Sequence, residues 1–224
     1  AGNEHAARLR RECSEYFHSL NGKWNFKFIE NVRSLGTAFW EIGSNFDWDC
    51  QMDVPSSWQT KGFDRNQYTN IRYPFTYDPP YVPFVNPCGA YMRDFQYQKR
   101  AGKRAVLVCE GIDSCYYLWI NGHFVGYSQI SYSTSRFDIT DYLNNGENTI
   151  SILVLKWCDG SYFEDQDKFR MSGIFRDIYI LERDASCIED IRITTDITPD
   201  GAEIAICLSF SEGNPEVDYR PKGI

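Results

Sequence analysis

Four carboxylates stand within eleven residues, at Asp159, Glu164, Asp165 and Asp167, interleaved with Trp157, Tyr162 and Phe163. Grouped oxygen ligands of this kind suit a hard cation such as Mg²⁺. They equally suit sugar hydroxyls, which donate to carboxylates while an aromatic face covers the apolar side of the ring. A solvated acidic loop is the plain alternative. Cleavage of a glycosidic bond needs two carboxyl groups at a fixed separation across that bond, and the spacing here pairs no two of the acids. Other chemistries lack their motifs. His5, His18 and His123 are scattered, and no G-x-S-x-G turn or glycine-rich phosphate loop occurs.

Net charge narrows the partners further. At -8, with a sequence pI near 4.9, the chain would be repelled by nucleic acid and by anionic membranes, whereas a neutral ligand meets no such barrier. No run of about 18 apolar residues is present to span a bilayer. The stretch from Ala1 to Cys13 is polar and Arg-rich, without the apolar segment of a signal peptide. The eight cysteines include no C-x-x-C pair, and Cys109, Cys115 and Cys207 fall inside apolar runs. Free, mostly buried thiols in the cytoplasm are therefore expected, rather than a disulfide framework or a zinc site.

The elements that must position the acids read as all-β. Helical periodicity is weak, while β-branched and aromatic runs bounded by Gly, Asn, Asp and Pro recur at sandwich-like spacing. Strands are expected at Lys23 to Ile29, Gln51 to Val54, Tyr91 to Gln98, Arg104 to Cys109, Tyr116 to Ile120, His123 to Ser128, Thr149 to Trp157 and Ile174 to Leu181. Asn121-Gly122 between two of them predicts a type I′ hairpin. The nearly continuous apolar run Thr149 to Leu155 predicts a central strand covered on both faces. Between Pro55 and Pro87, six of the nine prolines stand among Trp58, Phe63, Tyr68, Tyr73, Phe75, Tyr77, Tyr81 and Phe84. Proline at that density denies ladder hydrogen bonds, so this aromatic loop must pack on its own sandwich or against another domain, and packing against another domain is the favoured expectation.

At this point motifs become specific. Tyr68-Thr69-Asn70-Ile71-Arg72-Tyr73-Pro74-Phe75, Asp78-Pro79-Pro80-Tyr81-Val82-Pro83 and Asn86-Pro87-Cys88-Gly89-Ala90-Tyr91 resemble the N-terminal domain of family 2 β-galactosidases. So do Glu110-Gly111-Ile112-Asp113-Ser114, Trp119-Ile120-Asn121-Gly122, Gly126-Tyr127-Ser128-Gln129, Phe137-Asp138-Ile139-Thr140 and the Trp157 to Asp177 stretch, in the same order. The resemblance covers about Tyr16 to Leu181. It departs from the usual pattern at Lys168-Phe169, where Met-Trp is common, at Ala90, where cysteine is frequent, and over the first dozen residues.

The resemblance implies a jelly-roll β-sandwich like the galactose-binding domains over residues 1–183, then the truncated start of an immunoglobulin-like sandwich over 184–224. In that family a TIM barrel carries both catalytic glutamates, so no catalytic residue is assigned here and the chain alone is expected to be inactive. The family would have Asn70 reach the galactose site and Asp167 contact both galactose and an active-site Na⁺. It would have Asp159 and Gln129 ligate a second, non-catalytic Mg²⁺ whose remaining ligands lie outside this chain, leaving that site incomplete. For each residue there is a purely structural alternative. Asn70 could cap a turn, Asp167 could pair with Arg170 or Arg176, and Gln129 could satisfy a buried backbone group.

The function these features imply is that of an accessory domain of a β-galactosidase, forming one wall of the galactoside pocket beside the missing catalytic barrel. Mg²⁺ and Na⁺ would belong to the full-length enzyme, with none held stably by this portion. An autonomous carbohydrate-binding module is the first alternative. The second is a structural module that supports assembly of a homo-oligomer.

Overall fold

The computed structural model describes residues 10–36, 38–164, 167–199 and 201–213. Its strands, in chain order, are β1 (Phe17–Ser19), β2 (Gly22–Ile29), β3 (Cys50–Val54), β4 (Tyr68–Thr69), β5 (Cys88–Tyr97), β6 (Lys103–Cys109), β7 (Ile112–Asp113) and β8 (Cys115–Ile120). They continue as β9 (His123–Ser128), β10 (Ser135–Asp138), β11 (Gly146–Leu155), β12 (Lys168–Phe169), β13 (Gly173–Ile174), β14 (Ile178–Asp184), β15 (Ile188–Thr198) and β16 (Gly201–Phe210). Helical structure among the described residues is confined to short 3-10 turns such as Asp159–Tyr162. The chain is all-β.

Two antiparallel sheets face one another. One has the order β3-β2-β5-β11-β8-β9 and the other β1-β14-β6-β10. Ile150, Ile152 and Val154 of β11 point into the space between them, with Trp24 and Phe26 of β2, Leu107 of β6 and Ile178 and Ile180 of β14. The opposite face of β11 is covered as well. There Leu153 packs with Phe39 and Trp119 under Trp40, Phe46 and Trp48, and the Trp40 and Trp119 rings stack at 4.6 Å. Burial on both faces is why the β11 sequence loses its polar alternation. β11 pairs with β5 on one side and β8 on the other, the central place expected of it.

The hairpin between β8 and β9 turns on Asn121 and Gly122, both with positive φ. Asn121 also secures the turn to its neighbours. Its side-chain amide donates to the Tyr142 carbonyl at 2.8 Å, and its oxygen accepts from the Thr149 amide at 2.8 Å.

Three expectations change. The run Ile174 to Leu181 is two strands in different sheets, because Phe175 and Arg176 both donate their amides to the Gly111 carbonyl and the chain crosses over there. The proline-rich loop is divided. Trp58 is fully buried against Phe26 and Phe28 of its own sandwich, and Tyr73, Phe75 and Tyr77 gather around Tyr162, while Ile71, Tyr81 and Phe84 face outward. Among the cysteines, Cys88, Cys109, Cys115 and Cys158 are buried, but Cys13 and Cys207 are exposed and Cys50 and Cys187 half-buried. Cys207 lies on β16, which pairs only with β15 among the described residues, so no second sheet covers it.

Candidate functional site

The proline-rich loop and the acidic loop meet in a short antiparallel ribbon. β4 pairs with β12 so that Tyr68 faces Phe169 and Thr69 faces Lys168. One residue past this ladder stand Asn70 on one side and Asp167 on the other, 97 positions apart in the chain. Side chains alternate along a strand, so Tyr68, Asn70, Asp167 and Phe169 share one face, and all four are exposed. The Tyr68 hydroxyl donates a hydrogen bond to Asp167 Oδ1. That bond, with a smaller opposing contribution from Asn70, raises the Tyr68 phenol above its ordinary value. Asn70 Oδ1 accepts from the amide of the next residue, Ile71, at 2.6 Å. That leaves its amide group facing Tyr68.

The arginines expected as alternative partners of Asp167 are engaged elsewhere. Arg170 is buried, and its Nε donates to Thr69 Oγ1 at 2.8 Å while its Nη1 reaches the Glu164 carbonyl at 2.6 Å. Its backbone amide donates to the Gln67 carbonyl at 2.7 Å, which fastens the end of the ribbon. Arg176 lies over the Tyr132 and Phe175 rings and donates to the Tyr132 carbonyl at 3.1 Å.

Beneath the ribbon lies a polar recess lined by Asp113, Ser114, Ser161, Glu164, Lys168 and Arg170, among others, around a cavity of about 10 Å³, the space of one water. Burial pushes the Asp113 carboxyl up to about 7, against the opposing pull of Lys168. Cys158 borders the same region. Hydrogen bonding from Cys115, with Ser114 and Ser161, draws its thiol down to about 6. Neither described histidine serves it as a base, since His18 bonds Glu182 at 2.9 Å and His123 lies exposed on β9.

Gln129 and Asp159 form a second grouping. The Gln129 carbonyl and side-chain amide flank Gly160, where an added Cβ would meet the carbonyl oxygen at 3.2 Å. Gln129 Oε1 accepts from the Tyr127 hydroxyl at 2.9 Å, and Asp159 Oδ1 accepts from the Gly160 amide at 2.9 Å. Mg²⁺ demands about six oxygen ligands. Among the described residues no three His, Cys, Asp or Glu side chains gather closely enough to hold a metal. Two oxygen donors here and the Asp167 and Tyr68 oxygens on the ribbon are compatible with cations, each as part of a larger ligand set.

Apolar side chains are also exposed on β12 and along the two loops. Phe163 is 91% and Ile71 89% exposed, with Phe169, Tyr81 and Phe84 also outward. Sequence reasoning missed Tyr68 and Lys168 as parts of the site. The expected strands omit residues 68–70, so no alternation ties Tyr68 to Asn70 in the sequence.

Comparison with known proteins bears on the family and the fold. Residues 17–184 match the family described as glycosyl hydrolases family 2, sugar binding domain. A relative from Actinobacillus pleuropneumoniae named beta-galactosidase is 46% identical over 220 residues, covering 97% of this chain and 21% of its own length. One from Staphylococcus xylosus with the same name is 42% identical over 212 residues, 91% of this chain and 21% of its own length. The chain thus spans about a fifth of these relatives. Among solved structures, a beta-glucuronidase from an uncultured Clostridium species superimposes with a TM-score of 0.64 at 20% identity, over 88% of this chain and 34% of its own. At that identity the likeness speaks for the fold.

Proposed function

The chain belongs to glycosyl hydrolase family 2 as its sugar-binding domain, and on that premise we propose that it is the N-terminal accessory domain of a β-galactosidase. The observation that carries this reading is the Tyr68 hydroxyl, which bonds Asp167 and meets the Asn70 side chain on one exposed face at the end of the β4–β12 ribbon. A carboxylate and a carboxamide so placed can hold vicinal sugar hydroxyls, accepting from one and donating to the next. The apolar side chains exposed on the two loops suit a neighbouring catalytic domain that closes the pocket and supplies both catalytic carboxyl groups.

In this reading Asp167 also contributes one oxygen to a Na⁺ site, and Asp159 and Gln129 contribute two ligands to a Mg²⁺ site completed by other segments. Such ions would neutralise charge and orient the sugar. The galactoside and the catalytic barrel are the partners. The β15–β16 ribbon supports a second module, because its cross-strand pairs Ile193 with Ile206 and Ile191 with Leu208 form an apolar ladder awaiting a second sheet. The cytoplasmic setting belongs to the same proposal. It rests on the buried thiols Cys88, Cys109 and Cys115 in core strands.

The test compares the full-length protein with this chain alone on a chromogenic β-galactoside. Full-length protein should turn over and the isolated chain should release nothing above buffer. Tight galactoside binding by the isolated chain would favour an autonomous carbohydrate-binding module instead, since half a pocket binds feebly.

A further inference from the structure

We infer that Lys168 is a positioning residue, whose side chain clamps β12 to three other segments and so holds Asp167 against Tyr68, beside Asn70. This rests on the sugar-site reading of those two residues. Strand alternation sends Lys168 to the face opposite Asp167 and Phe169, down into the recess. There its Nζ stands 3.5 Å from Asp113 Oδ2 on β7 and 3.9 Å from Glu164 Oε2 in the acidic loop. It also donates to the Tyr132 hydroxyl at 3.2 Å and lies 4.5 Å from the centre of that ring, in the loop after β9.

The clamp is needed because the ribbon is short. Two residues per strand give too few ladder bonds to fix their own geometry. Arg170 fastens one end through Gln67 and Thr69. Lys168 fastens the middle, and the groups it grips are themselves held. Glu164 accepts from both the amide and the hydroxyl of Ser131, at 3.2 and 2.8 Å, and Asp113 sits in the β7–β13 ladder opposite Gly173. Both carboxylates are largely withdrawn from solvent. Without the ammonium they would face each other across the recess, a situation that drives buried groups apart or admits water. Either response shifts β12, and Asp167 is its immediate neighbour.

The experiment uses the full-length protein carrying Lys168→Met, and the same protein carrying Lys168→Met together with Asp113→Asn, at about pH 8. Two readouts are taken. Amide hydrogen exchange at residues 68–70 and 167–170 reports the ribbon, and KM and kcat for a chromogenic β-galactoside report the site. Lys168→Met should speed exchange in those two segments about tenfold, and raise KM by a similar factor with kcat less affected. The double variant, with a buried charge removed from each side, should return most of both effects. Exchange unchanged in Lys168→Met overturns the clamp. Faster exchange with unaltered KM overturns the positioning role, as does a double variant no better than the single one. If the wild-type full-length protein cleaves no β-galactoside, the functional reading fails, while exchange still decides the clamp.

Discussion

Tyr68 and Asp167, 99 positions apart in the chain, are joined by a hydrogen bond from the phenol to the carboxylate. It links the proline-rich loop to the acidic loop at their exposed crossing. Replacing Tyr68 with Phe keeps the ring against Phe169 but removes the donor. A hydrogen bond to a charged group contributes about 1.5–3 kcal/mol, less where water competes. In full-length protein, Tyr68→Phe should therefore lower kcat/KM about three- to tenfold while the melting temperature stays near wild type. A parallel fall in melting temperature would assign Tyr68 to stability.

Asp167→Asn should be more severe. The substitution keeps shape and removes the charge that, under the proposed function, would strengthen a sugar hydrogen bond and attract Na⁺. A loss of about one to two orders of magnitude in kcat/KM follows from the strength of charge-assisted hydrogen bonds. The dependence on Na⁺ concentration should flatten as well. An exposed carboxylate adds little to stability, so early melting with intact kinetics would instead mark a structural partner.

Asp113 makes stability depend on pH in a defined direction. Burial raises its folded-state value from 3.8 to about 7, so the fold favours the protonated carboxyl. The stability this provides is complete below about pH 4 and is lost as pH rises toward 7. Asparagine mimics the protonated form. Asp113→Asn should match wild type near pH 4 and exceed it near pH 8 by on the order of 3 kcal/mol, read from urea unfolding at the two pH values. A variant weaker than wild type near pH 8 would show that the Lys168 attraction outweighs desolvation.

Gly89 on β5 tests the core. An added Cβ there would stand 2.8 Å from the Phe26 ring and 2.9 Å from the Trp58 ring, and both rings are fully buried. Neither can retreat without opening the sandwich. Gly89→Ala should cost about 1–3 kcal/mol, the usual range for overpacking. Equilibrium denaturation measures it, and an unchanged midpoint would mean that the two rings move freely.

Local rules read directly from the residues accounted for much of the sandwich. The continuous apolar run of β11 signalled two covered faces, and Asn121-Gly122 signalled its turn, because side-chain pattern and positive-φ propensity act within a few residues. Residues Phe17–Ser19 and Ser135–Asp138 gave no comparable signal. Each is a short edge strand whose partner lies far away in sequence, Leu181 for Phe17 and Cys109 for Ser135.

The candidate site divides in the same way. The motifs around Asn70 and Asp167 marked both residues, and the sequence by itself determined the residue types and the all-β class. Only the tertiary structure decided that Tyr68 meets both residues and that Lys168 meets Asp113 and Glu164 below. The ribbon is two residues long on each side, so no periodicity announces it, and its register is set by Arg170 and the buried recess. Pairing across roughly a hundred residues depends on where the two sheets carry the loops, which local propensity does not encode.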